Sequence, residues 1–188
     1  MTQARNISDV PAAVYAVSGD FCRIFAEDMS GLYLLSFLLT ADSAKAEQCF
    51  VSGLGDSVGA NRVFKEWARS WARRAIIQNA IRMMQPARAR SASSTAAAAV
   101  GDLSVSDKLA PVLGLKTFER FVFVMSVLEG YSDQDCKTLL ACSRQDIVRA
   151  RLQALKHMAT DGEKTLVPDV TVGAGRLFVQ QRLAAKTA

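Results

Sequence analysis

Histidine, aromatic residues and long apolar runs are all scarce in this sequence, and each scarcity removes a class of fold or function. A single histidine, His157, stands among 188 residues, with no set of metal ligands beside it. The four cysteines, Cys22, Cys49, Cys136 and Cys142, show no CxxC spacing. A site built on His and Cys donors therefore has too few ligands at usable spacing, and the thiols are expected to be small buried or half-buried apolar residues. No Ser-His-Asp or Cys-His pairing and no phosphate-cradling glycine loop occurs, so no catalytic residue, cofactor or metal is expected. Glu129, Asp133 and Asp135 read as helix-end and surface charges. The longest apolar run, Leu32 to Leu39, is broken only by Ser36 and falls well short of the roughly 20 residues that a membrane-spanning helix needs. It reads as a buried core helix. Met1 to Asp9 is polar, with no apolar stretch leading to a small-residue cleavage site, so no secretory signal is expected and the cytoplasm is the expected location.

What is abundant is alanine, leucine and positive charge. Half of the residues are hydrophobic but only 7% are aromatic, a balance that favours helix over sheet. The length suits one ordinary domain or two small ones. The formal net charge is +5, which suits a polyanionic partner when the arginines are gathered on particular faces.

The pattern predicts an all-α chain of two small helical domains, 1–84 and 108–160, with an Ala/Ser-rich linker over 85–107 and a tail over 161–188. In the first domain, Ser8 and Pro11 open a helix with Val14, Val17, Phe21 and Phe25 at helical spacing, interrupted near Ser18 to Asp20. A second helix covers about Gly31 to Thr40. Asp42 caps a third, containing Ala46, Cys49, Phe50 and Leu54 and closed by Gly53, Gly55 and Gly59. A fourth, from about Asn61 to Met84, carries a core stripe of Phe64, Trp67, Trp71, Ala75, Ile81 and Met84. Its other face is basic, with Arg62, Lys65, Arg69, Arg73, Arg74 and Arg82 against one acid, Glu66. From Gln85 to Asp107 large apolar residues all but vanish, a composition that cannot build a core.

The second half concentrates the functional signal. Leu109 to Leu115 leads to an apolar helix, about Thr117 to Glu129, that ends at Gly130, where positive φ is expected. Ser132 caps a short helix of about Asp133 to Leu140, Ala141 to Ser143 form a tight turn, and a longer helix runs from Arg144 to about Met158. Two helices joined by a three-residue turn read as a helix-turn-helix. Ser143 and Asp146 form an S-x-x-D capping box. Ile147 or Val148, then Leu152, Leu155 and Ala159, are the expected buried stripe, so that an aspartate at Leu152 would unfold this half. Arg144, Gln145 and Arg149 are then placed as readers of base edges, since Arg and Gln make bidentate contacts with guanine and adenine. Ser143, Arg151 and Lys156 fall where phosphate contact is natural, beside the helix N-terminus. The plainer alternative is a helical hairpin with a solvated, arginine-rich face.

The segments Phe118-Glu119-Arg120-Phe121-Val122-Phe123-Val124, Glu129-Gly130-Tyr131-Ser132 and Val148-Arg149-Ala150-Arg151-Leu152 together resemble region 4 of sigma-70-family factors of the extracytoplasmic-function type. The first half resembles region 2 of that family through Leu39-Thr40-Ala41-Asp42, Ala46-Glu47, and more loosely Phe64, Trp67 and Asn79. It departs from the family at Gln48 and Val51, where the polymerase-facing helix usually carries an acid and a glutamine. The resemblance spans most of residues 28 to 158. It implies a transcription initiation factor whose region 2-like part binds RNA polymerase core and captures unstacked promoter bases, and whose region 4-like part reads duplex promoter DNA. It directs attention to Trp67, Arg69, Trp71, Arg73 and Arg74 for single-strand contacts, because aromatics stack on bases and arginines neutralise backbone. It also leaves room for an anti-sigma protein as a partner. The alternative from another class is a divergent sigma-like interaction module without productive promoter recognition.

Overall fold

A computed structural model describes residues 14–60, 62–89 and 109–165, and all regular elements among them are helices. Helix α1, Ser18–Glu27, buries Phe21, Ile24 and Phe25, spaced three and four apart on one face. Its start is fixed by the Asp20 carboxylate, which accepts the Val17 N–H at 3.0 Å. The sequence placed Val14 and Val17 in this helix, but the chain there is extended, with the Ala16 N–H on Val63 O at 2.7 Å and the Lys65 N–H on Val14 O at 3.1 Å. Backbone pairing with a distant segment has displaced a local helical preference. Ser8 and Pro11 lie outside the described residues.

Helix α2, Met29–Thr40, is apolar nearly all round, and Leu32, Leu35, Leu38 and Leu39 are buried. Its two buried hydroxyls are satisfied within the helix, Ser36 donating to Leu32 O and Thr40 to Ser36 O. Helix α3, Ser43–Val58, is capped by Asp42, which accepts the Lys45 N–H at 2.9 Å. Gly53 and Gly55 lie inside this helix instead of ending it, and only Gly59 closes it. A Cβ at Gly53 would meet Ile76 Cγ1 at 3.1 Å, so glycine there permits close approach of the neighbouring helix.

That neighbour is α4, Ala68–Met84, preceded by a 3-10 turn at Lys65–Trp67. It buries Ala68, Ala72, Ala75, Ile76, Ile77 and Ala80. Of the expected core stripe, Ala75 is buried and Phe64, Ile81 and Met84 are half-buried, but Trp67 is 60% exposed and Trp71 42%. Ile76 of α4 lies against Gly53 of α3, and a contact that close leaves no room for an indole ring at that position.

Gln85 to Ala89, read from sequence as the start of the linker, include a helical turn, α5, Pro86–Ala89, whose Pro86 is fully buried. Residues 90–107 of that expected linker fall outside the described residues. Helix α6 spans Ala110–Leu113 and α7 spans Thr117–Phe123. The latter runs on as a π-helical stretch, Val124–Leu128, where the Glu129 N–H bonds Val124 O at 2.9 Å. Gly130, with φ of 69°, ends it as expected. Helix α8, Asp133–Leu140, and helix α9, Arg144–Thr165, follow. Buried apolar residues from Ala16 to Ala154 form one contiguous cluster. The expected tail, from Leu166 onward, lies outside the described residues.

Arg120 joins the two stretches of chain. It is 5% exposed and has no carboxylate partner among the described residues. Its guanidinium donates to Leu39 O at 3.3 and 3.4 Å, to Thr40 O at 3.5 Å, to Leu113 O at 3.3 Å and to Leu115 O at 3.2 Å. Two of those acceptors are terminal carbonyls of α2, the negative end of its dipole. Burial pushes the Arg120 pKa down to about 10, which still leaves it charged at neutral pH.

Candidate nucleic-acid interface

The turn between α8 and α9 is built by short polar side chains acting on the backbone. Ser132 accepts the Asp135 N–H at 3.1 Å and donates its hydroxyl to the Asp135 carboxylate. Ala141, at φ 49°, takes the left-handed conformation that ends α8. Ser143 and Asp146 then form the capping box read from sequence: the Ser143 hydroxyl accepts the Asp146 N–H at 3.2 Å, and Asp146 Oδ2 accepts the Ser143 N–H at 3.1 Å. The Ser143 hydroxyl also donates to that carboxylate at 2.7 Å, so its hydrogen is already committed.

Helix α9 turns Ile147, Ala150 and Ala154 inward. Of the stripe expected from sequence, Ile147, one of the two alternatives for its first position, is buried, while Leu152, Leu155 and Ala159 are exposed. Val148, Leu152 and Leu155 are 41%, 54% and 44% exposed, and Ile147, Ala150 and Ala154 take the core positions on a helix that packs against α6 and α7. With that face inward, Arg144, Gln145, Arg149 and Lys156 are exposed. Arg149 and Lys156 form no ion pair among the described residues.

Arg151 is placed differently from the other expected contacts. It is half-buried, bound to the Asp133 carboxylate, and its Nε donates to Ser126 Oγ at 3.0 Å. Arg144 Nε lies 3.5 Å from the same Asp133. Hydrogen bonding from Arg151, reinforced by Arg144, holds the Asp133 carboxyl below its ordinary pKa. Arg151 thus fastens α9 to α8 and the π-helical stretch, and its charge is already matched.

The five residues singled out around α4 also divide. Trp67 extends an aromatic series, its exposed ring 5.3 Å from half-buried Phe64, which in turn lies 5.0 Å from exposed Tyr15. Trp71 is exposed one turn further on. The arginines are less free. Arg69 pairs with Glu27 at 2.5 Å. Arg73 makes a fork to Glu129, both contacts 2.7 Å, and reaches Asp28 at 3.1 Å. Those contacts raise its already high pKa. Arg74 is half-buried and its charge acts on Tyr131. Within α4 and its preceding turn the sequence contains one acid, yet tertiary packing brings in Glu27, Asp28 and Glu129.

Sequence reasoning missed Arg120, Asp133 and Glu129 as organising charges. An arginine inside the apolar run of α7 was the one available signal for Arg120. Nothing local marked the other two. Among the thiols, Cys49 and Cys136 are buried, and burial pushes each up to about 11, whereas Cys22 is exposed, contrary to expectation. No helix among the described residues is long and apolar enough to cross a membrane. No protein-family model and no curated protein matches the chain.

Proposed function

We propose that the protein is a DNA-binding transcription initiation factor resembling an alternative sigma factor, with the first turns of α9 reading duplex promoter DNA. The observation that carries this reading is the solvent-facing set Arg144, Gln145 and Arg149, directly after a capped three-residue turn. These are the side chains suited to guanine and adenine edges, and they lie where a recognition helix enters the major groove. Lys156 and the α9 N-terminus supply phosphate contacts. Arg151 acts as a strut that fixes the angle of the helix.

The exposure of Trp67 and Trp71 favours a second contact surface on the same protein, since solvent-facing indoles are available for stacking on unpaired bases. Arg69 and Arg73 would have to exchange their carboxylate partners for phosphates there, which makes the α4 surface weaker in electrostatic attraction than α9.

Two measurements test the reading. RNA polymerase core immobilised on resin should retain the purified chain, and failure to do so removes the initiation role. Duplexes enriched from a random library by the wild-type chain should lose about 1–3 kcal/mol of preference over scrambled DNA on Arg149→Ala. Equal losses on both would assign Arg149 to phosphate contact alone.

A further inference from the structure

Helix α9 carries a second recognition pattern that DNA reading does not use. Val148, Leu152, Leu155 and Ala159 are all exposed, and their spacing of four, three and four is that of a coiled-coil seam. At about 100° per residue they fall within an arc of about 60°, turned about 140° from the mean direction of the buried Ile147, Ala150 and Ala154. The positions flanking that seam are Arg149 and Lys156 on one side and Arg144 and Arg151 on the other. Every flanking charge from Arg144 to Lys156 is therefore positive. Asp133 matches part of the charge on the Arg151 side, leaving Arg149 and Lys156 as the open pair.

From this arrangement we infer that α9 docks an acidic amphipathic helix of another protein, with apolar residues on the seam and carboxylates against Arg149 and Lys156. Charge selects this occupant over the two nearest alternatives. A second copy of the chain would set like charges against one another in either helix orientation. The segment after Thr165 contains apolar Leu177, Phe178 and Leu183, but its charges beyond Asp169 are Arg176, Arg182 and Lys186. Two apolar surfaces that both carry positive borders repel. Acidic flanks satisfy the borders while the seam is covered. Since Arg149 belongs both to the seam's border and to the proposed base readers, the docked helix and duplex DNA exclude each other. The inference itself stands on exposure and charge, without the DNA reading.

The test uses the full chain and a fluorescent synthetic helix of about three heptads, with Leu at both seam positions of each heptad and Glu at the flanking ones. Glutamate repulsion keeps this probe monomeric. Anisotropy should show saturable binding that weakens with salt, while a probe with Lys at the flanking positions should not bind. The double variants Leu152→Asp/Leu155→Asp and Arg149→Glu/Lys156→Glu should each weaken binding at least about tenfold while leaving the helical circular dichroism signal unchanged, since all four side chains are exposed. No saturable binding of the acidic probe, equal binding of both probes, or unaltered binding by the folded variants would each overturn the inference. So would sedimentation showing that the wild-type chain dimerises through this seam, or probe binding that emerges only after residues 166–188 are removed.

Discussion

Arg120 and Asp133 do at the residue scale what hydrophobic burial cannot: they orient elements. Arg120 satisfies carbonyls from both sides of the stretch whose composition reads as a linker. Its replacement by alanine orphans buried acceptors at the end of α2 and before α7, and should destabilise the chain by about 3 kcal/mol, measured by urea unfolding. A loss under about 1 kcal/mol would mean that water replaces the guanidinium at little cost. Asp133 has a depressed pKa because Arg151 and Arg144 hydrogen-bond its ionised form. A carboxylate of that kind contributes stability that is fully present above its unfolded pKa and is lost as pH falls through the lower folded value. The Asp133→Asn variant should therefore melt below the wild type at neutral pH. The gap should close as the solution is acidified below the ordinary carboxylate pKa of 3.8. A gap that persists in acid would assign the aspartate's role to shape instead of charge.

Elements sort by the size of the side chains on their inward faces. Helices α4 and α9 turn mainly alanine and isoleucine inward, and Trp71 on α4 and Leu152 and Leu155 on α9, which periodicity assigned to the core, are exposed. Leu152→Asp accordingly should leave the melting temperature within about 2 °C of wild type, because an exposed substitution away from caps and networks costs about 0.5 kcal/mol at most. A drop of about 10 °C would return Leu152 to the core. The contrast shows how much was legible beforehand. Caps at Asp42, Ser132 and Ser143, the stop at Gly130 and the α8–turn–α9 succession are local chemistry, written within four residues of where they act. Which apolar residues face inward depends on how closely the next helix approaches, and for α4 Gly53 sets that approach from a different part of the chain. The candidate readers Arg144, Gln145 and Arg149 could be named from α9 alone, because whichever of its apolar residues are buried they remain outside. The pairing of Arg151, Arg69 and Arg73 could not, since their acids arrive from α8, from α1 and the residue that follows it, and from the turn after the π-helical stretch.

At the scale of the whole molecule, positive charge among the described residues is divided between arginines that hold the fold and side chains that face outward with no acid partner there. Arg73, Arg120 and Arg151 fasten one element to another, whereas Arg149 and Lys156 have no acid partner among the described residues. Net charge of +5 by itself therefore overstates the field available to a polyanion, and location is what matters. The most direct measurement is the affinity of the full chain for duplex DNA across a salt series. If α9 neutralises about three phosphates, log K should fall against log salt with a slope of about −3, from roughly −0.9 per phosphate, and Lys156→Ala should reduce that slope by about one. Absence of binding at low salt, or binding that does not respond to salt, would contradict the proposal that this face of α9 meets DNA.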